Sequence, residues 1–163
     1  NSAAVAAGLA PTNIHLFEIL MGWVWLGGMG STLTLSLLML FSAKSKHLKA
    51  IGKVTIGPAI FNINEPMIFG DPIAFNPILM IPMWLNGLLI PAITYLVFAV
   101  KWVTIPSQVN QLWYLPVGIS TYLVNSDWRG LILLVVNLVV SAALYYPFLK
   151  VYDLQKVKEE TQA

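Results

Sequence analysis

Phe61-Asn62-Ile63-Asn64-Glu65-Pro66-Met67-Ile68-Phe69-Gly70-Asp71-Pro72, continued to Asn76-Pro77, sets the Glu65 carboxylate and three amides among residues that cannot continue a helix. The chain around it is apolar: of 163 residues, 58% are hydrophobic and 10% charged, with a mean hydropathy of +0.76. An ordinary soluble domain is about a quarter charged. The expected fold class is therefore an all-α integral membrane protein. An ionisable side chain at bilayer depth costs at least ~2.5 kcal/mol, so Glu65 is expected to be paired or to face a polar cavity. Pro66, Gly70, Pro72 and Pro77 interrupt helices, and the backbone they leave unpaired is tolerable in a bilayer only when buried in protein or lining a wet pathway. Charge and broken backbone together predict a polar site in a re-entrant hairpin at about 58–73.

Composition also excludes chemistry. The chain has no cysteine, hence no disulfide, thiolate metal site or cysteine nucleophile, and no metal or cofactor is expected. A formal charge of +2 is too small for nucleic-acid binding, and the basic residues cluster beside apolar spans, as membrane topology requires. Asn1–Gly8 has no basic run of the signal-peptide kind and no initiating methionine, so the chain is expected to be a fragment.

In chain order, Asn1–Asn13 reads as the end of a loop. Ile19–Phe41 holds 23 residues without a charge, enough for a transmembrane helix at about 18–42. Inside it, Gly27-Gly28-Met29-Gly30-Ser31 offers a strip of small residues for close helix packing or a joint. Glu18 and His15 sit at its entrance as interfacial residues. Lys44, Lys46, His47, Lys49 and Lys53 form the densest positive cluster and are expected to face the cytoplasm. With Leu48, Ile51 and Val54 between them they predict an interfacial amphipathic helix over 44–56. After the hairpin, 29 residues free of charge from Pro72 to Val100 contain a second crossing at 77–100, kinked near Pro82 and Pro91. Residues 102–126 are too polar and too broken for a lipid-facing helix. They are expected to form a partly buried loop or second re-entrant element carrying Trp102, Trp113 and Tyr114 as interfacial or site aromatics. A last crossing over 129–150 ends in Lys150, Lys156 and Lys158, which predicts a cytoplasmic C-terminus, and the tail at 151–163 is expected to fray. Both basic ends then lie on one side of the membrane.

The motif Phe-Asn-Ile-Asn-Glu-Pro-Met-Ile-Phe-Gly, with Pro72, Asn76-Pro77 and Pro82, resembles the membrane IIC component of the bacterial sugar phosphotransferase system, lactose/cellobiose/diacetylchitobiose family. The small-residue run Gly27–Leu37, Ser42-Ala43-Lys44-Ser45-Lys46, Asp127-Trp128-Arg129 and Tyr146–Asp153 are similar to that family's C-terminal half. Asn-Glu-Pro alone is a weak signal, whereas the ordered series is specific and covers nearly the whole chain.

The resemblance implies a homodimeric, all-helical permease of the bacterial cytoplasmic membrane that carries a disaccharide. A separate IIB protein or domain phosphorylates the sugar with its phosphocysteine. The resemblance also implies that Glu65 hydrogen-bonds sugar hydroxyls, that Trp113 stacks on a sugar ring, and that the dimer forms through helices upstream of Asn1.

Read from the residues themselves, a carboxylate accepts several hydrogen bonds and amides both donate and accept, which is the inventory needed to hold adjacent hydroxyls. Glu65 is expected to orient the sugar and assist removal of the hydroxyl proton. Its bland alternative is to cap broken backbone or pair with a lysine. Asn62, Asn64 and Asn76 either touch the ligand or satisfy backbone freed by prolines. An ion-coupled carrier or channel using Glu65 as its ion or proton site is the alternative function. An intramembrane enzyme lacks a nucleophile or metal cluster.

Overall fold

The structure is a computed structural model that describes residues 1–70, 73–107, 112 and 114–162, and among these there are helices and no strand. The helices are α1 (Ser2–Ala6), α2 (Phe17–Ile19) passing into a π-helical turn (Leu20–Val24), α3 (Thr32–Ser42), α4 (Lys46–Ile60), α5 (Glu65–Gly70), α6 (Pro77–Ala99), α7 (Ile119–Asn125) and α8 (Trp128–Gln162), with a single 3-10 turn at Ile73–Phe75. Two of them, α6 and α8, are long and apolar enough to cross a bilayer. Only 28% of the most apolar window of each is buried inside the chain, so most of that apolar surface faces outward. They run antiparallel. Asn137 of α8 donates to the Thr94 hydroxyl of α6 at 2.9 Å, while Met83 and Tyr145, nearer the other end, both meet Gly30.

The predicted crossing at 18–42 is not one helix. After the π-turn the backbone unwinds, with Gly27, Gly28 and Gly30 at φ 84°, 96° and 81° and Ser31 at 57°, and it becomes helical again only at Thr32. Of the two readings of the glycines, close packing or a joint, the break in the helix favours the joint. Such a break is stable in an apolar setting only if its backbone groups find partners. Every carbonyl from Leu20 to Ser31 does so. Those of Leu20, Val24, Trp25, Leu26, Gly27 and Gly28 accept from donors between Trp25 and Leu33. The other six accept from side chains further along the chain: Met21 from Asn62 (3.0 Å), Gly22 from Thr121 (2.9 Å), Trp23 from Asn137 (2.9 Å), Met29 from Asn64 (2.9 Å), Gly30 from Tyr145 (2.6 Å) and Ser31 from Ser141 (3.4 Å).

The amphipathic helix exists as α4, but its apolar side is spent on protein. Leu48, Gly52, Thr55 and Ala59 are buried, and a side chain on Gly52 would come within 2.6 Å of the Leu40 amide nitrogen, so α4 lies directly on α3 rather than on lipid. It also extends through Gly57-Pro58 to Ile60, where the sequence places the opening of the hairpin. Pro58 has no amide hydrogen to give the helix, and its own carbonyl accepts from the Phe61 and Ile63 amides to close the turn. The second crossing is α6, unbroken from Pro77 through Pro82 and Pro91 to Ala99. Within the described part of 102–126, Ile119–Asn125 is the short helix α7 rather than loop. Asn1–Asn13 likewise holds the short helix α1.

The tail does not fray. α8 is helical to Gln162 because its last turns carry the acids that hold the start of α4. Asp153, 2% exposed, accepts from the Lys44 and Ser45 amides at 2.9 Å, and Glu160 accepts from the Ser45 hydroxyl (2.6 Å) and the His47 and Lys46 amides (2.9 and 3.1 Å). These amides are the orphan donors of a helix N-terminus, where an acid is doubly favoured. Lys150 adds a bond to the Ser42 carbonyl at 3.0 Å. The basic segments after α3 and at the end of α8 therefore meet at one end of the molecule.

The Ser45 hydroxyl and the His47 and Lys46 amides, with the Lys46 charge, hold the Glu160 carboxyl at about 2, below its ordinary 4.5. Because the folded value is the lower one, this contact contributes fully above pH 4.5 and fades as pH falls toward 2. A fluorophore pair on positions 49 and 158 is expected to separate as pH drops through that window. Glu160→Gln is expected to separate the pair at pH 7, and an unchanged distance would refute the role of Glu160.

At the other end Asp127 starts α8. Burial alone would raise its carboxyl, but bonds from the Thr104 amide (2.9 Å), the Thr104 hydroxyl (2.8 Å) and the Arg129 amide and guanidinium bring it down to about 2. This fastens the segment after α6 to the first turn of α8.

Candidate functional site

Glu65 is the first residue of α5, the position where a carboxylate suits the helix dipole. Met67 fixes how this short helix sits. It is 1% exposed and packs with Leu35, Met39, Leu79 and Tyr145. Two residues apart on a helix means opposite sides, so Glu65 points away from that core. Its side chain is exposed, and it makes no hydrogen bond or ion pair among the described residues. Among the described residues this carboxylate therefore has no paired partner. Two grooves, about 520 Å³ beside His15 and Tyr95 and about 470 Å³ beside Met29, Met83 and Trp84, are apolar and not lined by Glu65. His15 stacks on Tyr95 with ring centroids 5.7 Å apart.

The asparagines around Glu65 are used for architecture. Asn62, at φ 60°, is in the left-handed region that asparagine tolerates. Its carboxamide spans the unwound segment, accepting from the Gly27 amide at 2.8 Å and donating to the Met21 carbonyl at 3.0 Å. Asn64 donates to the Met29 carbonyl at 2.9 Å, and its own carbonyl accepts from the Met67 and Ile68 amides to start α5. Asn76 caps α6, its side-chain oxygen accepting from the Ile78 and Leu79 amides at 3.0 and 3.4 Å. Hence Asn62 and Asn64 join the turn between α4 and α5 to the unwound segment, with Glu65 next in the chain, while Asn76 belongs to a separate helix end.

Trp113 lies outside the described residues. Four positions on, the Val117 amide donates to the Ile60 carbonyl at 2.8 Å, so the chain just after it reaches the turn that carries Glu65.

Sequence reasoning missed Tyr145, Ser141 and Asn137, the α8 side chains that hold the unwound carbonyls. A signal was present: polar residues four apart share one face of an otherwise apolar helix.

Comparison with known proteins agrees with this architecture. The sequence profile of the family described as "Phosphotransferase system, EIIC" matches residues 1–87. The "Lichenan permease IIC component" of Bacillus subtilis (strain 168) is 39% identical over 161 residues, 98% of this chain and 36% of the relative. The "PTS system cellobiose-specific EIIC component" of Geobacillus stearothermophilus is 44% identical over 139 residues, 85% of this chain and 31% of the relative. The crystal structure of the transporter ChbC, the IIC component from the N,N'-diacetylchitobiose-specific phosphotransferase system, superposes with a TM-score of 0.93 at 37% identity, covering 99% of this chain and 38% of that one. The chain thus spans about a third of the length of the curated relatives it matches. With its helical architecture, its two apolar spans and these matches, the chain belongs to the EIIC family of the phosphotransferase system, a family of membrane transporters.

Proposed function

We propose that this chain is part of the sugar-binding and translocating unit of a phosphotransferase permease for a disaccharide of the cellobiose or diacetylchitobiose type. The observation that carries it is the family match over residues 1–87, which contains the Asn-Glu-Pro motif, joined to the geometry of Glu65. That carboxylate follows the turn tied to the unwound segment and makes no hydrogen bond or ion pair among the described residues, so its acceptor capacity is free for hydroxyls. Glu65 would orient the sugar and receive the hydroxyl proton as that oxygen attacks the phosphorus of the IIB phosphocysteine and the S–P bond breaks. Asn64 and Trp113 would add contacts to the sugar, and Asn62 would act by holding the hairpin.

The reading places the basic α3–α4 corner and the end of α8 at the cytoplasmic face, where IIB would dock. It includes assembly as a homodimer through segments outside this chain. Uptake of cellobiose, diacetylchitobiose and lactose by the full-length protein in vesicles tests it. Accumulation of sugar phosphate that requires phosphorylated IIB is expected. Accumulation of free sugar driven by an ion gradient without a phosphoryl donor would overturn it in favour of an ion-coupled carrier.

A further inference from the structure

We infer that Tyr145 is a positioning residue for Glu65, acting through the unwound segment: its hydroxyl holds the Gly30 carbonyl in the register that lets the neighbouring Met29 carbonyl take the Asn64 amide. The inference rests on Glu65 being the sugar-binding carboxylate. Tyr145 is fully buried in the middle of α8, and its hydroxyl lies 2.6 Å from the Gly30 oxygen. Gly30 also packs closely against α6, since a Cβ there would stand 2.6 Å from Met83 Cγ.

One residue earlier, the Met29 carbonyl accepts from Asn64 at 2.9 Å. One residue earlier again, Gly28 packs so closely on the Asn64 side chain that a Cβ would meet its Cγ at 2.4 Å. Asn64 is bonded to Glu65 and its carbonyl starts α5. The route from Tyr145 to the carboxylate thus runs through two hydrogen bonds and two peptide links, with the Asn64 side chain as the one side chain between. Ser141, one turn before Tyr145, supports the next carbonyl, that of Ser31, at 3.4 Å.

Tyr145→Phe removes one oxygen atom and leaves the Gly30 carbonyl without its donor, a loss that typically shifts an equilibrium about tenfold. In the full-length protein, Tyr145→Phe is expected to weaken cellobiose and diacetylchitobiose binding about tenfold. Asn64→Ala tests the route. If Tyr145 acts through Asn64, the double variant Tyr145→Phe/Asn64→Ala binds no more weakly than Asn64→Ala alone. A merely structural tyrosine would lower thermal stability by a similar amount in every background and leave the two effects on affinity additive. Additive effects, or unchanged affinity in Tyr145→Phe, overturn the inference. If Tyr145→Phe does not assemble, Ser141→Ala is read in the same cycle, with a loss of about threefold expected for its longer bond and additivity again overturning the inference. Glu65→Gln, measured alongside, separates the levels: sugar binding retained there overturns the proposed function, whereas binding lost there with additive Tyr145 and Asn64 effects overturns the positioning role alone.

Discussion

Glu65→Gln is expected to reduce disaccharide binding by the full-length protein at least about 100-fold while leaving insertion and stability unchanged. A carboxylate accepting from two sugar hydroxyls makes charge-assisted bonds, each worth roughly 1.5–3 kcal/mol, and the neutral amide loses the charge and one acceptor. About 2.8 kcal/mol in all corresponds to 100-fold. Stability should move by less than about 0.5 kcal/mol, because the side chain is exposed and has no hydrogen bond or ion pair to lose among the described residues. Titration calorimetry with cellobiose and diacetylchitobiose, beside a thermal melt without sugar, reads both quantities. Full affinity in Glu65→Gln would remove the sugar from this carboxylate. Lost affinity with an equal loss of stability would return Glu65 to a structural role.

The second large effect concerns the break in the first crossing. Gly27 sits at φ 84°, and a Cβ on it would lie 2.2 Å from the Leu33 amide nitrogen, a backbone atom that cannot step aside. Gly27→Ala is therefore expected to cost about 3 kcal/mol or more, combining left-handed strain with a backbone clash, and to lower the yield of folded protein sharply. Gly57→Ala is the matched control. It lies within α4 with nothing within 4 Å of its missing Cβ, so the substitution should be neutral or stabilise by up to about 1 kcal/mol. Equal melting temperatures for the two variants would mean that Ile19–Phe41 is helical throughout in the working protein.

These contrasts show where linear reading succeeds. Apolar length finds crossings: Pro72–Val100 announces α6 and Gly130–Leu149 announces the membrane part of α8, because a helix that satisfies its own backbone needs only enough apolar residues to reach across. The same measure fails at Ile19–Phe41. Hydropathy counts side chains, whereas the break depends on donors from Asn62, Asn64, Thr121, Asn137, Ser141 and Tyr145, up to 115 residues away. The polar tail misled for a similar reason. Asp153 and Glu160 look like solvated residues until Lys44–His47 are brought against them.

By itself, the sequence determined the membrane class and the family, and it singled out Glu65 as the candidate carboxylate, since these depend on composition and on residues adjacent in the chain. Only the tertiary structure decided that a helix unwinds beside that carboxylate, and that Asn62 and Asn64 tie the two together. Leaving a helix costs hydrogen bonds, and whether distant side chains replace them is settled by packing in three dimensions, not by neighbours along the chain.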